Sequence, residues 1–390
     1  MIILDKPYVS EFLKETIRKN NIPVLKNPTA VKMFRDSGFE LIDAQDALKQ
    51  IKTGVNGKIY SNSENAISWI KDNLADTELP EKIDLFKDKV SFRRLTQPLF
   101  KDYYFKEISI SELEHLDISR IPKPFIIKPA VGFFSMVVYK ISENKEWESV
   151  RRKITDEIRS VRSLYPAEVF NAEKLIIEQY IEGDEYAIDA YFDSDGEPVI
   201  LNILKHLFAS DEDVSDRVYI SSKDIIEEKL QSFESFLRKV GDLAKLRNFP
   251  LHAEIRVDDN NNILPIEINP MRFGGWCTTA DMTHFAYGFN PYLYYFHQKK
   301  PDWDNILKDK DGLVYSVIVL DNSSGIKEER IDSFDYRKLS SHFERPLEIR
   351  PVDFNEYPLF GFVFTETRME NLAELQRILQ SDLREYLTLK

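Results

Sequence analysis

His252-Ala253-Glu254-Ile255-Arg256-Val257-Asp258 and Ile263-Leu264-Pro265-Ile266-Glu267-Ile268-Asn269, joined by Asp259-Asn260-Asn261-Asn262, decide the fold. Polar and apolar residues alternate along both runs, the period of strands with one buried face. Asn and Asp fill the connection, as a hairpin turn favours. His252, Glu254, Arg256 and Asp258 therefore share one face of the first strand. Glu267 and Asn269 share a face of the second, opposite Ile266 and Ile268. A turn centred between Asn260 and Asn261 sets Glu254 against Glu267 and His252 against Asn269; an odd-length turn would break that pairing. Directly opposed like charges destabilise a strand pair. A hard divalent cation with oxygen ligands is the natural offset. Glu254, Glu267 and Asn269 thus read as a candidate metal set, flanked by His252 and Arg272. A single exposed glutamate would read as a solvated face; two opposed ones beside Asn269 do not.

Upstream of this hairpin, Ile2–Leu4, Pro23–Leu25 and Lys58–Tyr60 read as strands among helical patterns. Ser61-Asn62-Ser63-Glu64 fits a capping box opening a helix through Trp69 and Ile70. This predicts a small open α/β domain. Asp88 caps a helix carrying Val90, Phe92 and Leu95, and Phe125–Lys128 begins a strand–turn–strand unit. Trp147, Val150, Ile154, Ile158 and Val161 then fall on one helical face. Lys174–Ile181 reads as a strand, with a hairpin of Glu185–Phe192 and Glu197–Lys205 after it. Phe208–Tyr219 reads as a polar loop and Lys223–Arg247 as a long helix. Strands at Leu313–Leu320 and Leu359–Phe364 and a closing helix near Leu372–Tyr386 complete the chain.

Composition bounds the function. The 390 residues carry a net charge of -13, which repels nucleic acid and anionic lipid at long range. No run approaches the length of a membrane span. One cysteine, Cys277, excludes an internal disulfide and fits a reducing compartment. The opening Met1–Asp5 is too short and too soon acidic for a signal peptide, so a cytoplasmic location is expected. An acidic protein that binds polyphosphate needs a local cluster of cations, and Lys89, Lys128, Lys205 and Arg272 lie at ends of expected elements. The turn after Lys128, with Gly132 and Ser135, can bring backbone N–H groups to phosphate. The strand edge at Glu178–Ile181 can pair with a base, and Glu185 can accept from sugar hydroxyls.

These pieces occur in an order that resembles the ATP-grasp superfamily across about residues 83–295. The resemblance runs through Lys87-Asp88-Lys89-Val90-Ser91-Phe92, similar to the Asp-Lys helix start of biotin carboxylase, and through Ile127-Lys128-Pro129. It continues with Ile177–Glu185, His252-Ala253-Glu254 and Ile266-Glu267-Ile268-Asn269-Pro270-Met271-Arg272. It implies an open α/β pre-ATP-grasp domain at 1–82 and a two-lobed ATP-grasp domain at 83–300. Within the latter a flap lobe covers about 123–182 and a metal lobe about 183–300; a small α+β region follows at 301–390. Lys89 and Lys128 would contact ATP phosphates under a flap at Gly132–Ser135, with Lys205 near the terminal phosphates. Glu178 would meet the adenine amino group, backbone from Gln179 through Tyr180 to Ile181 would complete that edge, and Glu185 would hold the ribose. Glu254, Glu267 and Asn269 would coordinate one or two Mg²⁺, with Mn²⁺ as an alternative, and Arg272 would stabilise an acyl-phosphate.

The implied activity is ADP-forming ligation of a small carboxylate to an amine, of amino-acid or dipeptide type. A phosphotransferase and a non-catalytic nucleotide-binding module are the alternatives. No nucleic-acid or membrane partner is implied, and a homodimer is compatible. Phe133 and Phe134 stand where family flaps carry glycines, and one extra residue separates Asn269 from Arg272.

Overall fold

The amino-terminal sheet is built from very short parallel strands. In this computed structural model Ile2–Ile3 pairs with Tyr60–Ser61, and single bridges set Val24 beside Ile2 and Ile42 beside Leu25. The structure describes the whole chain except residues 36, 56, 133–136, 162–170, 211, 212 and 214, with side chains also left out at 159–161, 171 and 172. Helices Glu11–Asn20, Pro28–Phe34 and Ala44–Lys52 connect the parallel segments. Ser10 and Asn27 cap the first two by accepting from Leu13 N and Ala30 N. The expected helix through Trp69 and Ile70 forms at Ile67–Asn73, behind a short turn at Glu64–Ala66.

The second sheet has four antiparallel strands in the order Phe105–Ser109, Asn171–Gln179, Phe125–Val131 and Tyr139–Ile141. Helix Trp147–Val161 covers it, burying Trp147, Ile154 and Ile158 against Phe125, Ile127, Leu175 and Ile177. These residues form a core of their own, separate from the one shared by the amino-terminal sheet and the third sheet.

That third sheet is antiparallel and has eight strands. Their order is Ile263–Pro270, Phe249–Val257, Asp184–Phe192, Pro198–Leu207, Val218–Ser222, Leu313–Asp321, Leu359–Arg368 and Arg345–Pro351. Helix Lys223–Ala244 packs on it through Ile226, Phe233, Leu237 and Val240, and ends where Lys245 turns left-handed at φ 51°.

Two sequence expectations change here. The loop expected over Phe208–Tyr219 ends early, because Val218–Ser222 is a strand that bridges Pro198–Leu207 to Leu313–Asp321. The closing helix is only Ala373–Leu379, with a short turn at Arg384–Tyr386. Leu313–Asp321, Leu359–Arg368 and Arg345–Pro351 thus continue the sheet that carries the carboxylate hairpin, while Ile331–Phe334 and Leu387–Leu389 pair in a small sheet of their own.

Candidate active site

The hairpin reaches the expected pairing by an unexpected route. Near its tip Val257 faces Ile263, Arg256 faces Leu264 and Ile255 faces Pro265, the register of an odd loop. Asp258 builds that loop: its N donates to Asn262 O, and its Oδ1 accepts from the backbone N–H groups of Asn260 and Asn262. Asn261 supplies the left-handed residue at φ 60°. A β-bulge then inserts Ile266, after which Glu254 faces Glu267 and His252 faces Asn269. The odd turn and the bulge cancel, so both carboxylates share a face.

Their repulsion is relieved within the chain. Lys89 Nζ lies 3.0 Å from Glu267 Oε2 and donates to Gly132 O at 3.1 Å. The Asn269 amide bridges the pair, with Nδ2 3.4 Å from Glu254 Oε1 and 3.2 Å from Glu267 Oε1. Burial acts to raise the Glu267 carboxyl, but Lys89 and Lys128 more than offset this and hold it low. Among the described residues Glu254 has no lysine or arginine in contact, though His252 Nε2 lies 3.7 Å from its Oε1; burial, Glu267, Asp216 and Glu185 push it well above the usual range. Lys89 settles one carboxylate and leaves Glu254 poised to gain from a second positive charge. The donors are hard oxygens and one amide. Among the described residues no three His, Cys, Asp or Glu side chains form a complete cage. Mg²⁺ commonly takes one or two carboxylates and completes its shell with water and phosphate oxygens, so this donor set fits it.

Lys128 and Glu178 stand in the four-stranded sheet, both buried. Glu178 Oε1 lies 2.6 Å from Lys128 Nζ, and its Oε2 lies 2.6 Å from Arg93 Nε. Burial opposes the charge on Glu178, yet Arg93 and Lys128 hold its carboxyl at about 2. The structure therefore places Glu178 among cations rather than open at a base edge. Gln179 O accepts from the Tyr103 hydroxyl at 2.7 Å, and Ile181 O accepts from Arg256 Nη1 at 2.7 Å. The Tyr180 ring has Lys140 Nζ 3.7 Å from its centroid and the Arg256 guanidinium at 5.2 Å, with Arg256 Nη1 donating to the Tyr180 hydroxyl at 2.9 Å. Glu185 is likewise engaged, with Oε2 3.0 Å from Arg256 and Oε1 3.1 Å from His206 Nδ1.

Strand alternation corrects one cation. Lys205 pairs with Tyr186 and points to the face away from the carboxylates, its Nζ 2.6 Å from Asp184 Oδ2. His206 takes the inward place, buried, stacked on Tyr219 and bonded also to Ser215 O. Arg272 stays near the pair but is tied to the amino-terminal domain: Nη2 lies 2.7 Å from Glu64 Oε1. Glu64 also pairs with Lys87. Burial would raise Glu64, and Lys87 with Arg272 reverse that and hold it well below the glutamate range. The expected capping glutamate is thus an ion-pair partner. Ser135 of the expected flap lies outside the described residues, and Gly132 is placed by its contact with Lys89.

Three neighbours were not legible as site residues. Arg93 lies one helical turn after Lys89, a spacing that puts both on one face and was the available signal. Glu64 gave none, since its motif reads as a cap. Asp189 lies in an apolar strand, fully buried, with Oδ1 2.7 Å from His252 Nδ1 and accepting from Gly274 N at 3.0 Å.

Residues 121–280 match the family model described as an ATP-grasp domain. No curated protein matches the chain in sequence. Among solved structures, the L-amino acid ligase from Bacillus licheniformis is similar at a TM-score of 0.66 and 16% identity, covering 100% of this chain and 98% of that one. The N5-carboxyaminoimidazole ribonucleotide synthetase from Thermotoga maritima gives 0.64 and 12%, covering 100% and 98%. The biotin carboxylase domain dimer of 2-oxoglutarate carboxylase from Hydrogenobacter thermophilus, in complex with Mg-ADP, ADP and bicarbonate, gives 0.61 and 11%, covering 100% and 90%. No helix among the described residues is long and apolar enough to cross a membrane. The match in sequence marks an ATP-grasp domain at residues 121–280, and the likeness in fold to ATP-grasp ligases extends over the full length of the chain.

Proposed function

We propose that this chain is an ADP-forming ligase that activates a small carboxylate as an acyl-phosphate and joins it to an amine, of amino-acid or dipeptide type. The observation that carries this reading is the opposed pair Glu254 and Glu267, bridged by Asn269, with Lys89 in contact and Arg272 at its edge. In the first step a carboxylate oxygen attacks the γ-phosphorus of ATP and the bond to ADP breaks. In the second, the amine nitrogen attacks the acyl carbon, phosphate leaves, and the amine proton passes to solvent. Lys89 and Lys128 would neutralise the phosphates, and Arg272 the charge that develops on the acyl oxygens. Glu254, Glu267 and Asn269 would hold Mg²⁺, Asn269 by turning its amide so that Oδ1 faces inward. A bound Mg²⁺ would supply charge neutralisation on the transferring group. Gln179 through Ile181 and Glu185 would take the nucleoside after their contacts with Tyr103 and Arg256 rearrange.

The test is ADP release from Mg-ATP with pools of amino acids and small carboxylates, with and without an added amine. Glu267→Gln serves as the blank. Release that requires a carboxylate and rises with an amine is expected, and the variant should be inactive. A phosphorylated hydroxyl product without amine dependence would instead identify a phosphotransferase. Near-normal ATP-dependent turnover by Glu267→Gln would sink the metal assignment.

A further inference from the structure

We infer that Arg93 is a positioning residue: its guanidinium sets the bulge at Ile266, and so holds Glu267 opposite Glu254, while fixing Glu178 in the other lobe. This rests on the reading of that pair as the Mg-ATP site.

Arg93 is buried on helix Lys89–Thr96, at 3% exposure. Its Nε is 2.6 Å from Glu178 Oε2, its Nη1 donates to Pro265 O at 2.5 Å and its Nη2 to Ile266 O at 3.3 Å. A bulge leaves backbone groups without a ladder partner. Pro265 and Ile266 sit at this one, and their strand is the last of the eight, so among the described residues no further strand takes their carbonyls. Arg93 stands where that strand would be. A one-residue slip turns a strand's side chains to the other face. Without the bulge, Ile266 would face Glu254, and Glu267 and Asn269 would leave the site. Satisfying the two carbonyls favours the bulged register, because unpaired buried carbonyls are costly.

The same side chain reaches a lobe with a separate core, so it couples the seat of Glu178 and Lys128 to the seat of Glu267. The guanidinium is suited to this: its rigid fork has five donors, and here it serves three acceptors and stacks on the Tyr103 ring at 4.7 Å. An ammonium has no such fork.

The test uses the full chain with Arg93→Lys and Arg93→Ala. Hydrogen exchange is read over residues 263–270 and, as a control, over helix Lys223–Ala244. ATP binding is titrated calorimetrically at several Mg²⁺ concentrations. Exchange at 263–270 should rise by roughly tenfold in both variants while the control helix keeps its protection. The Mg²⁺ needed for half-maximal ATP binding should rise roughly tenfold. Added guanidinium ion should restore Arg93→Ala towards the native values, a rescue that a merely structural role would not show. Native-like exchange at 263–270 in Arg93→Lys would overturn the inference, and that variant carries the test if Arg93→Ala does not fold. Should the native protein bind ATP with no Mg²⁺ dependence, the metal reading fails, while the exchange at 263–270 still decides the role of Arg93.

Discussion

Glu64 illustrates how a residue can read as one thing and serve as another. Ser63 caps the turn that follows it, but the Glu64 carboxylate leaves the cap to hold Arg272 and Lys87. Replacing one partner of a buried ion pair strands the other charge, at about 3–5 kcal/mol. Glu64→Gln should therefore lose about 3 kcal/mol at neutral pH, read from urea midpoints. The folded-state carboxyl lies below its unfolded value of 4.5, so this stabilisation is complete above that value and disappears as pH falls through the folded one. The gap between native and variant should accordingly narrow in acid; a gap that widens would refute the ion-pair account. Cys277 makes a second prediction. Burial and the neighbouring Asp281 push its thiol up to about 11. It should resist alkylation in the folded protein at mildly alkaline pH and react fully in denaturant.

At the scale of elements, turns and bulges decide what faces the cleft. Gly183 joins the strand of Glu178 to that of Glu185, at φ +110°. A Cβ there would run into the carbonyl of Val257, which is backbone and cannot swing aside. Gly288 has φ +75° and open space around it. Gly183→Ala should cost roughly 3 kcal/mol and weaken ATP binding, whereas Gly288→Ala should cost only about 1–2 kcal/mol and leave binding unchanged. Denaturant unfolding and a binding titration on the two variants check this; equal losses would contradict it. The bulge at Ile266 belongs to the same scale. The pattern Ile-Glu-Ile-Asn states the alternation of that segment, but not which of its faces meets Glu254, because a single inserted residue reverses the answer.

The whole molecule places the site between bodies with different cores. Lys128 and Glu178 belong to the lobe with its own core, whereas Glu254, Glu267 and Arg272 stand on the side shared with the amino-terminal sheet. The carboxyl-terminal strands extend that side: Leu313–Asp321 pairs with Val218–Ser222, and Arg350 from Arg345–Pro351 reaches Asp281 at 2.6 Å, both buried. A chain ending at residue 300 would leave Val218–Ser222 as an open edge and Asp281 without its partner. It should be insoluble or unfold far below the full chain, and a stable, soluble 1–300 fragment would show that the sheet extension is dispensable.

The sequence alone carries the period of each strand, the charged residues on the hairpin faces, and an order of motifs that resembles the ATP-grasp superfamily. Those features are local, set by side-chain alternation, capping and spacing over a few residues. It pointed to Glu254 and Glu267 as a pair, although by an even turn that the chain does not use. Tertiary contacts turn Lys205 away while His206 faces in, clamp Glu178 with Lys128 and Arg93, and moor Arg272 to Glu64 from 208 residues away. Each depends on register or on contact between distant segments. Register turns on a single bulge, and an ion pair between lobes leaves no periodicity in either partner's neighbourhood.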